Sequence, residues 1–457
     1  MTTAVDRTRL PVPGNPPLVR FPSARVARLP SGLGLRTVEH PGPPVVTCAL
    51  SVPVGSASDP VDHPGLVALT ADLFDDGSVK RPSLELHGAL DRIGARLGTE
   101  VGTDSTTVSL TTLSQYAVEG LRLLAEIVSQ PRFDPLDVER VRDLRRSRLR
   151  QLKTVPGAVA DRLFLETIFG PHPYGHLGLG TDEALASMAA GLVRDFHGEA
   201  FRLGPATLVV VGALSHEEAA SVAAKAFTDV PAVPATTVVV DAAAVPAPPA
   251  PAGRLFVVDR PGAVQTELRI GHLGVRRLTP DYHALLALNM VLGGQFTSRL
   301  NQRLREDRGY TYGVRTSFDC RRAPGPFSMD GSVQSDATVE TVTEVLGEMS
   351  GIGRDRPVTA DELALARAAL TRGFARGFET AGQVARGLTR LLIQQLPPDY
   401  YDTFVPLVAG VDEAAVTEAA LTHLRPEEAV VVAVGPVEQF GAGLETLGLG
   451  PLQVVDA

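Results

Sequence analysis

Two apolar runs closed by glycine, Val209-Val210-Val211-Gly212 and Val432-Ala433-Val434-Gly435, stand 223 residues apart. The same offset carries Glu139 of VERVRDLRR onto Glu362 of ELALARAAL. At 457 residues the chain is also too long for one ordinary core. Two copies of one α+β domain satisfy both observations.

Local patterns agree. Leu33 to Glu39 and Val45 to Val54 read as strands, forming a hairpin around Pro41-Gly42-Pro43-Pro44. Gly65 to Phe74 reads as a buried helix and Ser83 to Leu97 as an amphipathic one, with strand-like Thr99 to Leu113 after them. Helices follow at Tyr116 to Val128 and Asp137 to Lys153. The second half repeats the plan, with strands at Leu255 to Val258, Thr266 to Leu273 and Phe327 to Val333, and helices from Tyr282, Val339 and Ala360. This gives a proline-rich arm at 1–28, a first domain at 29–231, a Pro/Ala-rich linker at 232–253 and a second domain at 254–457.

Composition removes several classes. With 44% hydrophobic and 21% charged residues the chain can bury a core, and neither a disordered nor a fibrous protein fits. A net charge of -9 argues against nucleic acid as a partner. No stretch has eighteen consecutive apolar residues and the N-terminus shows no secretory pattern, so a cytoplasmic protein with no membrane span is expected. Cys48 and Cys320 allow one disulfide by count, but two buried thiols in a reducing cytoplasm are the default expectation. Three lysines among 43 basic residues suggest a GC-rich bacterial genome.

The chemistry concentrates in VLGGQFTSRLNQRLREDRGYTYGVR, Val291 to Arg315. Leu292-Gly293-Gly294 breaks one helical run and Thr297-Ser298 starts a short second helix that Gly309 ends, with a strand beginning around Tyr310, Tyr312 and Val314. Such a turn can bring Arg305 and Tyr312 to one edge, guanidinium beside phenol, where they could bind a peptide carbonyl and stabilise charge on its oxygen. The plainer alternative is an arginine that caps a helix end and a tyrosine that packs on a strand.

This string resembles the C-terminal-half signature of the pitrilysin/insulinase-like zinc metallopeptidases, the inverzincins, and most closely their mitochondrial-processing-peptidase-like branch. The resemblance runs from about Leu29 to about Gly435. It implies two tandem homologous domains, each a mostly antiparallel sheet packed with helices, forming half of a clam-shaped chamber. It also implies that Arg305 and Tyr312 bind substrate and stabilise the transition state.

The family's zinc site, by contrast, is degenerate here. Pro64-Gly65-Leu66 matches the start of the zinc helix, but Ala68, Ala71 and Asp72 stand where His-x-x-Glu-His supplies two ligands and the general base. Arg146, seven residues past Glu139, stands where the third ligand, a glutamate, belongs. Among the remaining histidines only His172 and His176 have i, i+4 spacing, and Pro171, Pro173 and Gly175 forbid a regular helix there. The expectation is therefore no metal in this chain, with zinc in a partner.

In the processing-peptidase branch one chain carries the zinc helix and the other, metal-free, shapes the substrate cavity. The resemblance thus implies a substrate-binding subunit that lends Arg305 and Tyr312 to a homologous, zinc-bearing partner. A structural subunit and a peptide-binding scaffold acting alone are the alternatives.

Overall fold

A computed structural model describes residues 20–228 and 241–456. Most of the expected arm (residues 1–19) and part of the linker (residues 232–240) lie outside the described residues. The first half runs β1 (Arg25–Arg28), β2 (Gly34–Glu39), β3 (Val45–Val52), α1 (Leu66–Asp72), α2 (Ser83–Arg92), β4 (Arg96–Val101), β5 (Thr106–Leu113), α3 (Ala117–Ser129), α4 (Pro135–Leu152), α5 (Pro156–Phe169), α6 (Asp182–Ser187), α7 (Ala190–Ala200), β6 (Thr207–Gly212) and α8 (His216–Ala226). The second runs β7 (Leu255–Asp259), β8 (Gln265–Leu273), α9 (Tyr282–Asn289), α10 (Arg299–Asn301), β9 (Val314–Phe318), β10 (Pro326–Gln334), α11 (Thr338–Gly351), α12 (Ala360–Thr371), α13 (Ala381–Ile393), α14 (Tyr400–Ala409), α15 (Glu413–His423), β11 (Val430–Gly435), α16 (Val437–Glu445) and β12 (Leu452–Val454).

Each half builds one six-stranded sheet, ordered β1-β2-β6-β3-β5-β4 and β12-β7-β11-β8-β10-β9. Apart from the outermost β1 and β12, the two orders are the same plan, and β6 and β11 are the apolar runs that revealed the repeat. These orders correct the expected β2–β3 hairpin. β6 inserts between them, parallel to β2 and antiparallel to β3. The connection through Pro41 to Pro44 bridges one strand width instead of making a tight turn. Thr99 to Leu113 likewise resolves into the β4–β5 hairpin, and Arg25–Arg28, assigned to the arm by proline content, pairs with β2 as an edge strand.

The alternation of side chains along a strand explains why β6 and β11 carry apolar residues on both faces. In β6, Leu208 and Val210 face the first half's own core, whereas Val209 and Val211 face Val384, Ala385 and Leu388 of α13, from the second half. In β11, Val431 and Ala433 face the second core, whereas Val430, Val432 and Val434 face Val159, Phe164 and Ile168 of α5, from the first half. Each half therefore lends a helix to the other's sheet. A polar clamp adds to this exchange: buried Arg269 on β8 donates to Asp161 Oδ1 of α5 at 2.6 Å and to the Gly157 carbonyl at 3.2 Å.

Candidate functional site

The helix that would carry the metal is α1, and its start is fixed by two backbone constraints. Gly65 adopts a left-handed conformation (φ 95°), and a Cβ there would lie 2.8 Å from the Gly180 Cα, so the segment before α6 crosses directly over the helix entrance. Asp59, with its side chain 1% exposed, accepts the Gly65 and Val67 N–H groups at 2.7 Å each. This satisfies donors that a helix N-terminus leaves free. His176 Nε2 joins the same carboxylate at 2.9 Å.

Ala68 and Ala71 are buried on α1 and offer no donor atom. Asp72, at the end of the helix, is ion-paired with Arg145 of α4, whose Nη2 also donates to the Gly178 carbonyl at 2.8 Å. Arg146 turns the other way. Its Nε and Nη2 fork onto the two carboxylate oxygens of Asp182 on α6, at 2.9 and 3.0 Å. The hydrogen bonds from Arg146 hold the Asp182 carboxyl below the usual carboxylate range. The four positions of a zinc site are thus two alanines and two members of separate ion pairs. A cation would meet one carboxylate already neutralised by a guanidinium, two side chains with no ligand atom, and an arginine where the third ligand belongs. These residues do not fit zinc.

His172 and His176 do not converge either. The His172 ring lies against Phe169 and Tyr174, and its Nδ1 accepts the Tyr174 N–H at 3.1 Å. Burial pushes its pKa down. Among the described residues no group of three His, Cys, Asp or Glu side chains is arranged to hold a metal ion.

The Arg305/Tyr312 unit departs from its expected geometry. α9 runs on through a π-helical turn, Met290–Gly294, so the glycines widen a helix before they end it. A second π turn, Gln302–Asp307, carries Arg305, and Gly309 (φ 67°) then releases the chain. The strand begins only at Val314, which Asn301 brackets: its Oδ1 accepts the Val314 N–H at 2.9 Å and its Nδ2 donates to the Val314 carbonyl at 3.0 Å. Tyr312 consequently stands on a loop, 94% exposed, touching almost nothing. Arg305 stacks its guanidinium 3.1 Å from the Phe296 ring centroid, pairs with Glu306 at 2.8 Å and leaves Nη1 without a partner. The guanidinium beside phenol is not formed in this structure.

Sequence reading missed Asp59, Arg145, Asp182 and Phe296. Asp182, preceded by the helix-capping Thr181, carried a visible start signal. The others act across the fold and left no local pattern.

The first half, residues 36–181, matches the family model described as insulinase (peptidase family M16), and residues 188–370 match the model of the peptidase M16 inactive domain. An uncharacterized zinc protease of Mycobacterium leprae is 24% identical over 88% of this chain and 89% of its own length. The mitochondrial-processing peptidase subunit beta of Saccharomyces cerevisiae is 24% identical over 60% of this chain and 59% of its own. A peptidase M16 inactive domain from Pseudomonas fluorescens superposes with a TM-score of 0.81 and 26% identity, covering 90% of this chain and 98% of that one. A protease from Helicobacter pylori reaches the same TM-score at 17% identity over 91% and 100%, a likeness of fold.

Proposed function

Because the chain belongs to the M16, insulinase-like peptidase family, we propose that it is the metal-free, substrate-binding subunit of a heterodimeric zinc peptidase acting on peptides. Its partner is a homologous chain with an intact His-x-x-Glu-His motif, which holds the zinc. Arg305 and Tyr312 reach the partner's site and stabilise the oxyanion formed when water attacks the scissile carbonyl. We place the pair in the cytoplasm; among the described residues Cys48 and Cys320 are free thiols and no helix is long and apolar enough to cross a membrane.

The observation that supports this reading is an asymmetry. All four metal positions are lost, two to alanine and two to residues tied into ion pairs, while Tyr312 is kept with its hydroxyl free in solvent, where a second chain could meet it. The Mycobacterium leprae relative is called a zinc protease, but the side chains at 68, 71, 72 and 146 oppose that activity in this chain alone. A second reading, a structural or peptide-binding scaffold with no part in hydrolysis, is favoured by the engagement of Arg305 with Phe296 and Glu306. In the first reading that guanidinium must leave the Phe296 ring as the complex forms.

Co-expression with a zinc-bearing relative from the same source separates the two. Tyr312→Phe keeps the ring and removes one hydroxyl, and should lower turnover on the order of 10²-fold, as for a lost oxyanion donor. Assembly and the partner's zinc content should stay unchanged. Wild-type turnover in an assembled Tyr312→Phe complex would leave the scaffold reading standing instead.

A further inference from the structure

A cavity of about 720 Å³ opens between the first half's sheet and α13 of the second half. Its floor is the face of β3 and β5 that α13 leaves partly uncovered, and it is made of hydroxyls. Thr47 and Thr111 lie opposite in register with their Oγ1 atoms 2.9 Å apart, and Ser109 follows on the same face. Arg386 and Arg390 form one wall, one helical turn apart on the exposed side of α13. Glu100, on the edge strand β4, stands at the rim.

Apart from Glu100, which has no ion-pair partner among the described residues, the other charged groups at this cavity are already engaged. Arg321 pairs with Asp319 at 2.7 Å, Arg322 with Asp241 at 3.2 Å, and Asp104 accepts the Tyr174 hydroxyl at 2.6 Å. Arg386 and Arg390 make no ion pair among the described residues. Like charges at i, i+4 disfavour a helix, weakly at such an exposed position, and an anion that bridges them offsets a second cost, the ordering of two long side chains over the cavity. An anion between them removes the repulsion. The protein as a whole carries a net charge of -9, so this wall is a local exception to its sign.

We propose that this cavity selects substrates by a carboxylate, carried on an extended peptide and held between Arg386 and Arg390 over the hydroxyl floor. Planar guanidinium groups match carboxylate geometry, and the hydroxyls can donate to or accept from a peptide main chain. The inference rests on the substrate-binding reading above and adds a class to it: peptides with an acidic side chain or a free C-terminus in the cavity.

The test is calorimetric titration of the full chain, without a partner, with three alanine/threonine nonapeptides. The first is blocked at both ends with one central glutamate, the second has glutamine there, and the third is the glutamine peptide with a free C-terminal carboxylate. Either the first or the third should bind about tenfold or more tightly than the second, as a charged hydrogen bond would give, and whichever does so identifies the carboxylate's source. The preference should vanish in the R386Q/R390Q double variant, whose substitutions lie on an exposed helix face and leave the core untouched. Equal binding of all three peptides, or an unchanged preference in the double variant, overturns this inference and leaves the substrate-binding reading intact. Failure of all three to bind at millimolar concentration overturns both.

Discussion

The ion pair that replaced the metal site gives a measurable consequence in Asp72→Ala. Arg145 has a side chain only 9% exposed, and its donors reach Asp72 and one carbonyl while Nε finds no partner. Removing one member of a fully buried pair costs about 3–5 kcal/mol. Asp72, however, is 46% exposed, so water can enter beside the guanidinium. Discounting for that solvent leaves about 2 kcal/mol for the loss. Arg145→Met exchanges the guanidinium for an apolar side chain and releases Asp72 to water, a change of within about 1 kcal/mol. The double variant should then behave like Arg145→Met alone, with a coupling energy of about 2 kcal/mol. Urea denaturation of the four proteins, followed by circular dichroism and compared at constant slope, measures it. A coupling energy below about 0.5 kcal/mol would refute the account of this site as a neutralising pair. The same number bears on attempts to rebuild the zinc motif, since a histidine at position 72 also strands Arg145.

Two further outcomes follow from the packing. Phe164→Ala empties a buried position on α5 and should destabilise the protein by about 3–5 kcal/mol. Hydrogen exchange should accelerate in β11, across the inter-half contact, more than in β5 of its own half; the opposite order would contradict the helix exchange. His272 is pushed down to about 4 by burial; the Arg425 N–H donates to its Nε2 at 3.1 Å, which only the neutral ring can accept, while Nδ1–H donates to the Leu273 carbonyl at 2.9 Å. The unfolded chain takes up this proton near pH 6.5 and the folded one does not. Stability is therefore full above pH 6.5 and falls by about 3 kcal/mol as pH drops towards 4, a loss that His272→Gln should reduce in acid-denaturation curves.

Sequence patterns exposed the duplication well because β6 and β11 are covered on both faces and answer that burial with apolar residues almost throughout, whereas β3 and β8, also covered on both faces, carry the buried polar residues Thr47, Ser51, Arg269 and His272. The same patterns failed at strand order. Pro41-Gly42-Pro43-Pro44 is turn chemistry whether the next strand pairs beside β2 or one place further, and only the arrival of β6 from 170 residues later decides. At the candidate site, residue identity alone showed that zinc ligands were missing from 68, 71, 72 and 146. It could not show that the buried partner of Asp72 is Arg145 and not its neighbour, since consecutive residues on a helix point about 100° apart and the distinction depends on how α4 is rotated. Arg305 and Tyr312 were found by motif, but Phe296, Glu306 and Asn301 set their present arrangement through contacts that spacing does not encode.

The exchange of helices also has a consequence in time. When the ribosome has finished β6, the outer face of the first sheet, with Val209 and Val211, still has no cover, because α13 is encoded some 170 residues downstream. At about 5–20 residues per second that interval is roughly ten to thirty seconds. During it the nascent chain presents an apolar sheet face to the cell, a target for chaperones and for other nascent chains. The first half can assemble its own core early, but the outer face of its sheet is covered only once α13 has been made, so the two halves close jointly.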